Sequence, residues 1–251
     1  MNSLLLGLLT FVAYATATLS GVLGMGGGIV LVGVLAAALP ATTVVPVHGV
    51  VQLASNSART VVFLRHVRWS IFFAFAPFLL LGVGGAILLY RGSDLPGFKP
   101  LIGVFILCFL VWRQIKPTLR TPPLWVYAPL GVVAGFLTMF VGATGPFIAP
   151  FFLRDDLEKE QVIATKAVCQ SVGHALKIPA FLSLGFDYVG EATLLGWMIA
   201  AVVLGTLTGK KLLTRLDPKW FERLFLALLT LLALHLIGSW IWIQLTNGAP
   251  H

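Results

Sequence analysis

The sequence predicts an all-α polytopic membrane protein built as two inverted repeats. Three observations predict it. Of 251 residues, 58% are hydrophobic and only 10% are charged, with a mean hydropathy of +0.96, far too little charge for a water-facing surface. The apolar residues come in long runs separated by short charged segments, the pattern of helices crossing a bilayer, and the alternating ten-residue segments of a β-barrel are absent. A polar ladder then occurs twice. His48, Gln52, Asn56 and Arg59 stand at steps of four, four and three, and Lys166, Gln170, His174 and Lys177 repeat those steps 118 positions later (166 − 48). On a helix such steps form one stripe.

In chain order, the first apolar block, about Leu4 to Leu39, is too long for one upright helix. Gly24-Met25-Gly26-Gly27-Gly28 breaks it, since consecutive glycines disfavour helix. A helix from about Thr42 to Leu64 follows, with Pro46 in its first turn, and ends at Arg65-His66-Val67-Arg68-Trp69. Next come a helix from about Ser70 to Tyr90, a loop Arg91 to Gly97 with Asp94 and Pro96, and a helix from about Lys99 to Trp112. Arg113, Lys116 and Arg120 close the first repeat, residues 1–122.

The second repeat, 123–251, has the same plan. A block from about Leu124 to Leu153 is broken at Gly142-Ala143-Thr144-Gly145-Pro146. A charged loop from Arg154 to Glu160 leads into a helix to about Leu184 containing Pro179. The last helices run about Glu191 to Leu213 and Pro218 to Leu245. Leu95-Pro96-Gly97-Phe98 and Asp217-Pro218-Lys219-Trp220 match across the repeats.

Charge placement bears on topology. If each broken segment re-enters or folds as a hairpin, then Arg65/Arg68, Arg113/Lys116/Arg120, Arg154/Lys159 and Lys210/Lys211/Arg215/Lys219 share one side, with Arg91 and Lys99 opposite. The positive-inside rule favours that arrangement, with both termini outside. Three full spans per half make the halves inverted, a recurrent plan of secondary transporters. The choice between re-entrant segment and hairpin of two crossings stays open, as does an eight-helix reading. The formal net charge of +8 reflects these loops and not nucleic acid. Cys108 and Cys169 offer neither metal spacing nor a disulfide framework, and the apolar N-terminus reads as a retained segment.

Every carboxylate, from Asp94 to Glu222, falls in a loop or at a helix end. A membrane interior rich in cations and neutral donors but without carboxylates suits an anion better than Na⁺. Half-helices beginning near Ile29 and Phe147 would add backbone amides and positive dipole ends, with Pro146 in a first turn where no amide partner is needed. Each feature also has a plain reading. Gln and Asn often only bridge helices, and Arg59 and Lys177 stand near enough to helix ends to snorkel. His48 and His174 can be satisfied core residues, Lys166 closely follows a charged loop, and glycines can serve close packing.

The two glycine motifs, the polar helix after each, and the length resemble the sulfite exporter TauE/SafE family over essentially the whole chain. Val32-Gly33 stand where that family commonly has a proline. The resemblance implies a bacterial cytoplasmic-membrane transporter, usually an exporter, of sulfite, organosulfonates such as sulfoacetate, or related organic anions. The expected substrate site is Gly26, Gly27, Gly28, His48, Gln52, Asn56, Arg59, Thr144, Gly145, Lys166, Gln170, His174 and Lys177. In it Arg59, Lys177 and His174 supply positive charge, Gln52, Gln170 and Asn56 orient the oxyanion, and Gly26 to Gly28 and Gly145 present amides. No cofactor, metal or nucleic acid is expected. Proton coupling, where used, falls to His48 or His174, and a homodimer is left open. Three rivals remain: a passive anion channel with the same donors, an intramembrane enzyme of lipid-phosphatase type, and a membrane subunit serving another protein, for which nothing specific speaks. Ser55, Ser57 and Ser171 near histidines sustain the enzyme reading, although catalysis there lacks an acidic or metal partner.

Overall fold

The computed structural model describes residues 2–23, 26–89, 98–115, 121–212 and 218–247. Gly24, Met25, the 91–97 loop with Arg91 and Asp94, Lys116, Arg120, Arg215 and Asp217 lie outside them. Among the described residues the chain is all helical. Its α-helices are α1 (Ser3–Leu23), α2 (Gly27–Ala38), α3 (Ala41–Val62), α4 (Trp69–Leu89), α5 (Phe98–Ile115), α6 (Tyr127–Val141), α7 (Gly145–Phe152), α8 (Lys159–Ser183), α9 (Ala192–Leu212) and α10 (Pro218–Asn247). Five stretches are long and apolar enough to cross a bilayer: Ser3–Gly21, Trp69–Leu89, Leu124–Val141, Ala192–Leu212 and Leu229–Thr246. Large apolar side chains such as Phe11, Leu88 and Trp197 are exposed, as expected of residues whose solvent is lipid.

The helices fall close to their expected positions, with two corrections. Pro46 is the sixth residue of α3, in its second turn rather than its first. The half-helices begin at Gly27 and Gly145, two residues before Ile29 and Phe147, because a glycine tolerates the tight entry to each. α2 also continues through Val32-Gly33 for 12 residues, whereas α7, interrupted by Pro150, stops after 8. Where each break begins or ends, a glycine takes a positive φ: Gly26 at 100° and Gly142 at 81°. Side chains with a Cβ rarely adopt that conformation.

Close contacts fix the relative helix directions. The most extensive pairings are α1 with α9, α4 with α6, α3 with α8 and α5 with α10. Gly205 packs on the Tyr14 carbonyl and Gly209 on the Thr18 carbonyl, one turn later on both helices, so α1 and α9 run in the same direction. Gly131 on the Phe75 carbonyl and Gly135 on the Leu79 carbonyl make α4 and α6 parallel by the same logic. α3 and α8 are opposed: the His48 and His174 rings meet at 5.7 Å, while just past the other end of α3 the Arg68 amide donates to Thr165 Oγ1 at 2.9 Å.

These directions make α1 and α2 a returning pair. α9 packs on α3 with Lys210 near its end 5.7 Å over the ring of Phe63 at the end of α3, so α9, and with it α1, runs with α3, and α2 between them runs back. Gly27 accordingly sits on the Thr16 carbonyl and Ser20, with no room for a Cβ. The α6–α7 segment also returns to its start. Tyr127 Oη donates to the Phe151 carbonyl at 2.5 Å, and Arg154 Nη1 donates to the Pro122 carbonyl at 3.0 Å. Arg154 is held in turn by Asp156 at 2.7 Å, and that pairing keeps the Asp156 carboxyl below its ordinary range.

α3 and α8, which carry the two ladders, fall outside the five apolar stretches. They lie at the centre, with α9 and α4 packed against them. A large apolar cluster of Leu31, Leu35, Val44, Val47, Val51, Ile106 and Met198 closes one side. A second cluster, Phe75, Leu79, Tyr127, Ile148, Phe152 and Cys169, closes the other. Polar side chains enclosed in this way stay away from lipid, where each would be costly.

Candidate functional site

The α3 and α8 ladders meet across a cleft lined by Ser20, Gly26, Gly28, Ile29, His48, Gln52, Asn56, Arg59, Ala143, Gly145, Lys166, Gln170 and His174. Opposed packing explains the meeting. Stripes on two antiparallel neighbours face one another along their length, and the starts of α2 and α7 plug in beside them.

Each glutamine pairs with a glycine of a helix start. A Cβ on Gly28 would lie 3.3 Å from the Gln52 carboxamide carbon, and one on Gly145 would lie 2.9 Å from the Gln170 amide nitrogen. Glycine at these two positions lets a side-chain amide lie almost on the backbone. The first amides of a helix have no partner within it and carry partial positive charge. Gly27 is used differently, since its N–H donates to Ser20 Oγ at 2.9 Å.

The cations are enclosed and largely unopposed. Arg59 is 4% exposed and Lys166 2%, and no described carboxylate is buried. Arg59 Nη1 donates to Asn56 Oδ1 at 2.9 Å, and Asn56 Nδ2 donates to the Gln52 carbonyl at 2.9 Å. This chain of bonds holds the guanidinium inside, so Arg59 does not snorkel. The guanidinium keeps its charge at any physiological pH, and Lys166 adds a second whenever it is protonated. A buried cation without an opposing charge is strongly unfavourable.

The orphaned donors Arg59 Nε and Lys166 Nζ point the same way. Six buried side-chain atoms lack a hydrogen-bond partner among the described residues, and four belong to the cleft: His48 Nδ1, Arg59 Nε, Lys166 Nζ and His174 Nδ1. Such atoms call for an explanation, and these four belong to residues that line the cleft. His48 Nε2 donates to the Gly28 carbonyl at 2.9 Å, which in the neutral ring leaves Nδ1 as an acceptor.

Three expected residues stand elsewhere. Gly27 lies under α1 as described. Thr144 lines a smaller neighbouring cleft, shared with Gln170 and His174 and otherwise walled by Phe75, Leu79, Thr138, Ile148, Cys169 and Gly173. Lys177 is fully buried beside the cleft, its stem against Gly49 and its Nζ donating to the Gly142 carbonyl at 2.6 Å. Its charge is spent on the break between α6 and α7. Lys166, which closely follows a charged loop, lines the cleft. Ser20 and the second cleft were missed. Thr16, Thr18 and Ser20, three polar residues shortly before the first glycine cluster, were the available signal for Ser20.

The chain matches the family described as Sulfite exporter TauE/SafE over residues 9–236. It belongs to that family. No curated protein and no solved structure matches it. Membership in a family of membrane transporters agrees with the multi-pass helical fold. Within this TauE/SafE chain, Gly26 and Gly28 at the start of α2 and Gly145 at the start of α7 line one cleft.

Proposed function

We propose that this chain is a secondary transporter for a small oxyanion that carries a short carbon tail, such as an organosulfonate, sulfite being the minimal case. The observation that carries the reading is the cleft itself: Arg59 and Lys166, buried with no buried carboxylate among the described residues, line it together with a Gln52–Gly28 pair and a Gln170–Gly145 pair. Guanidinium, ammonium and amide donors match an oxyanion, and they have no comparable use for a cation or a neutral solute.

Alternating access by two inverted halves, 1–122 and 123–251, is the mechanism we favour. Its support is a correspondence of bounds and partners. α7 starts 118 residues after α2 (145 − 27), and α8 starts 118 after α3 (159 − 41). Exchanging the halves turns the α1–α9 pairing into α6–α4 and returns α3–α8 and α5–α10 to themselves. In the two halves the broken segment points in opposite directions, as an inverted repeat requires. The basic residues Arg65, Arg68, Arg154, Lys159, Lys210 and Lys211 share one side on this reading, which makes that side cytoplasmic and the termini periplasmic in an inner membrane.

Two experiments bear on the site. Replacing Gln52 and Gln170 together by alanine is expected to abolish anion flux in proteoliposomes, and unchanged flux would remove the site assignment. The second cleft is the place for a tail, since apolar walls adjoin the donors. A Cβ on Gly173 would make only ordinary contact there, 3.7 Å from Leu79. Gly173→Val narrows that cleft and should weaken sulfoacetate binding about tenfold, the scale of one misfitted methylene. Sulfite affinity should stay within about twofold. Equal losses for both anions would place the tail elsewhere.

A further inference from the structure

One exposed helix face carries a histidine that neither the site nor the lipid accounts for. On α10, Leu231, His235, Gly238, Trp242 and Leu245 follow at steps of four, three, four and three, and all are exposed. That spacing is the seam of a left-handed helix pair. Only 17% of the Leu229–Thr246 span is buried, against 39–44% for the other four candidate spans. The opposite face of α10, with Leu229, Ala233 and Leu236, packs on α5 and α2.

His235 decides what covers the seam. It lies inside the apolar span, more than a turn before Trp240 and Trp242, and makes no hydrogen bond among the described residues. Acyl chains offer an imidazole nothing, and ionisable groups in spans face protein or water almost without exception. A neutral imidazole carries one donor and one acceptor, so its natural complement is another imidazole. Such a self-matching group on a symmetric seam suits a twofold axis. Gly238, where a Cβ would meet nothing within 4 Å, lets two backbones approach closely.

We propose that the exposed seam of α10 is a homodimer interface, with His235 of each copy hydrogen-bonded across the axis. The cleft lies on the other side of α2 and stays within one copy. The proposal rests on the membrane-spanning fold and not on the transported anion.

Cysteine cross-linking of the full chain in liposomes tests it. In a Cys108→Ser background, Gly238→Cys should give mostly dimer with a short bis-thiol reagent, while Leu88→Cys, 85% exposed on α4, should give little. His235→Leu should weaken association about 3- to 20-fold on dilution into lipid, read by energy transfer between labelled copies. His235→Asn, which again supplies donor and acceptor, should retain most of it. Monomers at every protein-to-lipid ratio would overturn the proposal. So would Gly238→Cys cross-linking no better than Leu88→Cys, or His235→Leu associating as tightly as the parent.

Discussion

Arg59→Leu is expected to lower anion affinity about 100-fold, as follows from losing a charged hydrogen bond of about 3 kcal/mol. The guanidinium is the permanent charge of the cleft, and Asn56 and Ser55 aim it inward. The companion change Lys177→Met serves as contrast. Lys177 stands at the matching place of the second ladder, but its ammonium is tied to the Gly142 carbonyl. Affinity should therefore stay within about threefold, because no charge–anion contact is lost. Isothermal titration of both variants with sulfite and sulfoacetate checks the pair. Comparable losses for the two would mean that both ladders address the anion equally.

Gly27→Ala should prevent the α1–α2 pair from closing. An added Cβ meets the Thr16 carbonyl, which is backbone and cannot rotate away, as well as Ser20 Oγ. Overpacking in a tight core costs about 1–3 kcal/mol and sometimes more, and a rigid backbone neighbour puts this case at about 3 kcal/mol or above. Gly84→Ala, where a Cβ meets nothing within 4 Å, controls for the loss of a glycine as such. Thermal unfolding in detergent should show Gly27→Ala far below the parent and Gly84→Ala beside it. A Gly27→Ala protein with the parent's unfolding temperature would mean that the close approach of α2 to α1 is dispensable.

Much of the helical plan was legible in the chain because lipid makes composition decisive. Apolar runs, proline and glycine punctuation and basic loops place α3 through α10 within a few residues. The two ladders were legible because polar side chains at steps of three and four are rare in such helices. What stayed hidden depends on packing between distant segments. Arg59 and Lys177 hold equivalent sequence positions, yet one lines the cleft and the other braces Gly142, a difference set by what the break between α6 and α7 presents. Lys166 looked like a loop-proximal lysine, but Arg68 docking on Thr165 draws that end of α8 inward. Whether the broken segments return was also beyond periodicity. It follows from Gly27 against α1, and from Arg154 reaching back to Pro122, contacts that no local pattern announces. The second cleft is built from ordinary core residues and left no mark in the sequence.

In the proposed mechanism the two halves carry an anion between them through one shared site. Counterflow in proteoliposomes tests this most directly. With unlabelled sulfite or sulfoacetate trapped inside, entry of the labelled anion should be saturable and accelerated by the trapped anion, and Gln52→Ala/Gln170→Ala should lose both properties. Flux that rises linearly with concentration and ignores the anion on the other side would rule out a carrier and identify a passive pore.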